Sequence, residues 1–139
     1  MKVKALNNSD KALEQSDLES LSLRYVSRYA TTRHKLKAYL HRKVRERGWK
    51  GENPAVIDDI AQRYADLGYI DDALFAQSRA SALLRKGYGK RRVSLALDQA
   101  GIDDVDRNDA LRLADEQNWE AADRFAKRKS IGPYARKYH

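Results

Sequence analysis

The chain has 139 residues, 42% hydrophobic and 35% charged, with a net charge of +8 and no cysteine. Disulfides and thiolate metal sites are excluded, no run of about 18 apolar residues is present for a membrane helix, and a large ligand cavity is not expected. The positive balance points to an acidic partner, either nucleic acid or an acidic protein surface.

Residues 1–15 are polar and lack an apolar run of signal-peptide length, so a flexible segment and a cytoplasmic location are expected. Ser16 and Glu19 have capping-box spacing, and Leu18, Leu21, Tyr25, Val26 and Tyr29 recur at helical intervals. The spacing predicts a first helix over 17–29. Thr32 is the expected N-cap of a second helix to about Arg47, with the apolar line Leu36, Leu40 and Val44, ended by Gly48. Asn53 and Pro54 predict the start of a third helix, whose buried stripe would be Val56, Ile57, Ile60, Tyr64 and Leu67, stopped by Gly68.

The central stretch, Leu67 to Ile102, is punctuated by Gly68, Gly87, Gly89 and Gly101. Asp71 is placed to cap a fourth helix, with Ile70 and Phe75 at hydrophobic-staple positions. A fifth helix is expected over 90–100, with Val93, Ala96, Leu97 and Ala100 on one face. Asp103 then predicts a helix to about Glu116 with Val105, Leu111 and Ala114 inward. Asn118 predicts a last helix presenting Trp119, Ala122, Phe125 and Ala126, broken by Gly132 and Pro133.

Charge is unevenly spread. Arg33 to Lys50 holds eight Lys or Arg against Glu46 alone, and Arg85 to Arg92 holds five bases and no acid. Asp98 to Asp123 holds nine acids against Arg107 and Arg112. Sliding the chain by 57 residues lays Thr32, Leu36 and Leu40 on Gly89, Val93 and Leu97. A shift of 47 lays Asp71 on Asn118. The predicted architecture is all-α: tandem three-helix, helix-turn-helix-like repeats in an elongated, curved body. Its expected divisions are a flexible segment (1–15), a first repeat (16–70), a second (71–117), and the opening helix of a truncated third (118–139).

Catalytic and metal readings are weak. His34 and His41 share a helix side, but no third ligand stands at i, i+3 or i+4, so they read as exposed polar residues. Asp71 and Asp72 are explained by a helix start. GYG at 87–89 lacks the spacing and following Lys-Ser or Lys-Thr of a phosphate loop. No enzyme activity, cofactor or metal is expected. The basic clusters remain: Arg33, Lys35, Lys37, Arg42 and Lys43 in the first repeat, and Arg85, Lys86, Lys90, Arg91 and Arg92 in the second. Tyr88 among the latter reads as turn packing more readily than as a base-stacking ring.

GYIDDALFA followed by RKGYGKRRVSLALDQAGI resembles the central repeat of the RecX family, bacterial regulators of the RecA recombinase. LRYVSRYATTRHKLKAYLHRKVRERGW resembles the first repeat of that family, and ALRLADEQNWEAADRFAKRK its passage into the third. The resemblance covers roughly 18–132. It implies a protein that binds along the RecA filament on single-stranded DNA and suppresses ATP turnover, strand exchange and co-protease activity in recombinational repair and the SOS response; a monomer is expected. Direct DNA contact and no membrane association are part of that expectation. A RecA-independent helical nucleic-acid-binding protein is the alternative, since three small helices also build a helix-turn-helix reader.

Overall fold

The computed structural model describes residues 11–129. Among them are six helices and no strand: α1 (Gln15–Arg28), α2 (Arg33–Arg47), α3 (Asp58–Asp66), α4 (Asp72–Arg85), α5 (Lys90–Gln99) and α6 (Asp104–Lys129). The chain is all-α. It divides into two compact units, one ending at Phe75 and one beginning at Ala76, so the divide falls inside α4.

In the first unit α2 packs on α1 and on α3. The buried cluster is Leu13, Leu18, Leu21, Leu36, Leu40, Ile57, Ile60, Ala61, Tyr64 and Ile70. Thr32 caps α2 as expected, its hydroxyl accepting from the Lys35 N–H at 3.1 Å, and Gly48 closes the helix at φ 86°. Arg63 on α3 grips Glu19 on α1 through both guanidinium nitrogens, at 3.0 and 2.6 Å. That carboxylate raises the Arg63 pKa, while burial, then Glu19, raises the Tyr64 phenol above its ordinary value.

Three boundaries in this unit differ from expectation. The start of α1 is set by Glu14, whose N–H donates to Asp17 Oδ2 at 2.9 Å, and not by Ser16. Residues just before it belong to the fold: Leu13 is fully buried, and its backbone pairs with the Gly48 carbonyl and the Lys50 N–H at 2.8 Å each. The third helix begins at Asp58, not at Pro54, because the Gln15 amide holds the Val56 backbone at both its carbonyl (3.0 Å) and its N–H (3.1 Å). A peptide group clasped by a distant side chain is withdrawn from the helical hydrogen-bond ladder. Val56 and Leu67 are accordingly exposed, outside the stripe expected to bury them.

In the second unit α5 packs on α6. Its buried positions, Ala76, Ala80, Leu83, Val93, Leu97, Ala100, Ile102, Ala110 and Ala114, are richer in alanine than the first core. Asp71 caps α4 through the Leu74 N–H (3.0 Å), and Asp103 caps α6 through the Asp106 N–H (2.8 Å). Helix α6 runs without a break through Asn118, where a new helix was expected. Nothing between 104 and 129 is Gly or Pro, so nothing stops it. Val105, expected inward, is 69% exposed, as is Trp119. Gly132 and Pro133 lie outside the described residues.

Helices α3, α4 and α5 end alike. Gly87 at φ 97° lets its N–H reach the Leu84 carbonyl (3.0 Å) while the Tyr88 N–H reaches Leu83 (3.2 Å), which satisfies two end carbonyls. Gly68 and Gly101 repeat the pattern on Tyr64–Ala65 and Leu97–Asp98. After Gly68, Tyr69 sets its ring edge-on to Tyr64, 5.4 Å between centroids, the apolar contact that often accompanies such a helix stop.

Candidate functional site

The structure treats the two basic clusters differently. In the first unit Arg33 does not offer its charge outward. Its N–H and Nε donate to the Asp72 carboxylate at 3.0 and 3.2 Å, and its Nη1 donates to Gln62 at 3.0 Å. Helix α2 has no acid in its own first turn. Asp72, from the start of α4, supplies the negative charge that a helix N-terminus favours and satisfies one of its end N–H groups. Asp72 is a structural residue that sequence reasoning assigned only to its own helix. A contact across 39 positions leaves no local signal.

The other cations of the first cluster are placed on the surface of α2. Lys37 lies 3.8 Å from Asp58, and Arg42 and Lys43 share Glu46 at 3.7 and 3.8 Å. Arg42 and Lys43 also flank the Tyr39 ring, which stacks on Tyr25 at 4.4 Å. Lys35 sits over the Phe75 ring at 5.4 Å and has no acid partner among the described residues. Loose, exposed pairs of this kind are worth about 0–1 kcal/mol and are screened by salt, so these charges remain available to a partner. His34 and His41 are exposed, and no group of three His, Cys, Asp or Glu among the described residues could hold a metal ion.

The second cluster is brought together in one turn. Arg85 and Lys86 end α4, Gly87, Tyr88 and Gly89 make the bend, and Lys90, Arg91 and Arg92 open α5. All five cations are exposed. Lys90 pairs with Asp115 of α6 at 2.5 Å. Arg85, Lys86 and Arg91 pair with no acid among the described residues, and Arg92 lays its guanidinium over the Tyr88 ring at 4.8 Å. Helix α5 starts on Gly89 without a side-chain cap and without an acid in its first turn, whereas α1, α3, α4 and α6 each carry at least one there. Three cations at a positive dipole end are unfavourable for the isolated helix, by ~0.3–1 kcal/mol each. A bound anion would relieve that arrangement. Beyond it lies an open groove of about 740 Å³ lined by Gly89, Arg91, Arg92, Ser94, Leu95 and Asp98. Asp98 is held by Arg107, whose pKa it raises, so it is the end of the basic surface.

This turn falls inside a segment shared with known proteins. The family described as "RecX, second three-helix domain" matches residues 71–111. A regulatory protein RecX from Vibrio cholerae is 37% identical over 79 residues, 57% of this chain and 44% of that protein. The Myxococcus xanthus regulatory protein RecX is 27% identical over 124 residues, 84% of this chain and 66% of its own length. The crystal structure of RecX from Lactobacillus salivarius superposes with a TM-score of 0.57 at 27% identity, over 88% of this chain and 79% of that one. The chain is similar to the RecX family in its second three-helix domain and in its fold.

The likeness to the Lactobacillus salivarius structure agrees with the all-α fold. The chain spans under half the length of the Vibrio relative. Among the described residues no helix is long and apolar enough to cross a membrane.

Proposed function

We propose that the chain is a non-enzymatic modulator of RecA, mainly an inhibitor, that binds along the RecA filament on single-stranded DNA. It would suppress ATP turnover, strand exchange and co-protease activity, and so act in recombinational repair and SOS control as a cytoplasmic monomer. The observation that carries the reading is the open basic turn between α4 and α5, five exposed cations within eight residues, inside the segment that matches the RecX family. The repeated units support it. Lys35, Lys37, Arg42 and Lys43 on α2 form a second basic surface in the first unit, and linked weak contacts to a polymer of identical subunits multiply into avidity. Arg33 contributes by holding α2 in place through Asp72.

Titration of the purified chain into a RecA ATPase assay on single-stranded DNA tests the reading. ATP turnover is expected to fall with added protein, and RecA-stimulated cleavage of the SOS repressor to fall with it. If both are indifferent to the protein, the regulator reading is wrong and the RecA-independent nucleic-acid binder takes its place.

A further inference from the structure

We propose that Tyr88 is a stacking platform for one base of a single DNA strand, with Arg85, Lys86 and Arg91 receiving the flanking phosphates. The inference deepens the function proposed above, since it assigns the α4–α5 turn to the DNA of the filament rather than to its protein.

Tyr88 is 41% exposed, and its polar and ionic surroundings are cationic. The Arg92 guanidinium lies 4.8 Å from the ring centroid, and no other aromatic ring contacts Tyr88 among the described residues. The glycines on either side leave the approach open: a Cβ built at Gly87 or Gly89 would meet nothing within 4 Å. A planar guanidinium on a phenol ring extends the surface on which a base can stack, and stacking on an exposed aromatic ring is tolerant of base identity.

The first unit gives the internal comparison. At the positions related by the 57-residue repeat, Tyr88 corresponds to Thr31 and Lys90 to Arg33. Thr31 is buried, and Arg33 is consumed by Asp72 and Gln62. Lys90, like Arg33, is paired with an acid, Asp115, but the exposed ring stands in the copy where Arg85, Lys86 and Arg91 have no acid partner among the described residues, and the copy that closes its turn carries none. An acidic protein surface would need only the cations. The added aromatic face favours a ligand that combines negative charge with flat apolar groups, which is a nucleic acid. A duplex hides its base faces in its own stack, so the strand must be single.

The test measures binding of the full chain to a short fluorescent oligo-dT and to a backbone of the same length without bases, at fixed low salt. Tyr88→Leu keeps an apolar residue after the helix stop but removes the ring. It is expected to weaken oligo-dT binding between about fivefold and a hundredfold, the range for loss of one stacked base. Binding of the baseless strand should not change. Tyr88→Phe, which keeps the ring, should bind both probes like the parent, and serves as the variant of record if the leucine form melts early. Equal loss on both probes, no loss on oligo-dT, or failure of the parent chain to bind either strand would each overturn the proposal. None of these results touches the ATPase titration. Inhibition of RecA without ring-dependent binding would leave the regulator standing and remove the stacking site.

Discussion

Leu36→Ala is expected to destabilise the chain by about 3 kcal/mol, visible as a lower urea midpoint in a far-UV circular dichroism titration. Leu36 is fully buried on α2, the helix that packs on both α1 and α3, within the cluster that includes Leu18, Leu40 and Ile60. Truncation loses the transfer free energy of the removed carbons and leaves a cavity that three helices cannot all close at once. Small domains have only about 5–15 kcal/mol in hand, so the loss is a sizeable share of the total. Leu23→Ala is the control: Leu23 is 47% exposed on α1, and its loss should stay within about 0.5 kcal/mol. Similar midpoints for the two variants would contradict the assignment of α2 as the centre of the first unit.

The double reversal Arg91→Glu with Arg92→Glu is expected to move stability and binding in opposite directions. Both side chains are exposed, Arg91 has no acid partner among the described residues, and Arg92 contacts the Tyr88 ring. Removing them breaks no buried pair. Glutamates in the first turn of α5 suit its dipole, so the melting temperature should hold or rise slightly, by the equivalent of ~0.3–1 kcal/mol per side chain. Inhibition of RecA ATPase should need about tenfold or more additional protein, and the salt slope on single-stranded DNA should fall by about 1–2. Unchanged inhibition would remove the turn from the interface. Loss of inhibition together with loss of fold would mean that these arginines hold the structure.

Much of this fold could be read from local chemistry. Thr32 and Gly48 bound α2, Asp71 starts α4, and the glycines at 87 and 101 stop α4 and α5, because capping and left-handed stops act within a few residues. Apart from the start of α1, where Glu14 and Asp17 make the cap in place of Ser16, the misplaced boundaries involve distant partners or a missing stop. Gln15 withdraws Val56 from the helix that Pro54 promised, and Leu13 is held by Gly48 and Lys50. Helix α6 passes Asn118 because a good cap residue does not end a helix that nothing else interrupts.

At the candidate site, composition located both basic clusters but not their difference. Five of the ten expected cations lie in the α4–α5 turn, and four of those five have no acid partner among the described residues. Arg33, by contrast, is turned into a structural clamp by Asp72. Exposure of Tyr88 was equally invisible, since the same residue at the end of a Schellman turn can lie on the preceding helix, as Tyr69 lies on Tyr64.

Affinity for three targets at one salt concentration, namely the RecA filament on single-stranded DNA, RecA alone and the free strand, tests most directly whether a filament is what these units engage. The filament should be bound far more tightly than either component, with a shallower salt dependence than the free strand. Equal affinity and equal salt slope for filament and free strand would show a phosphate binder indifferent to RecA.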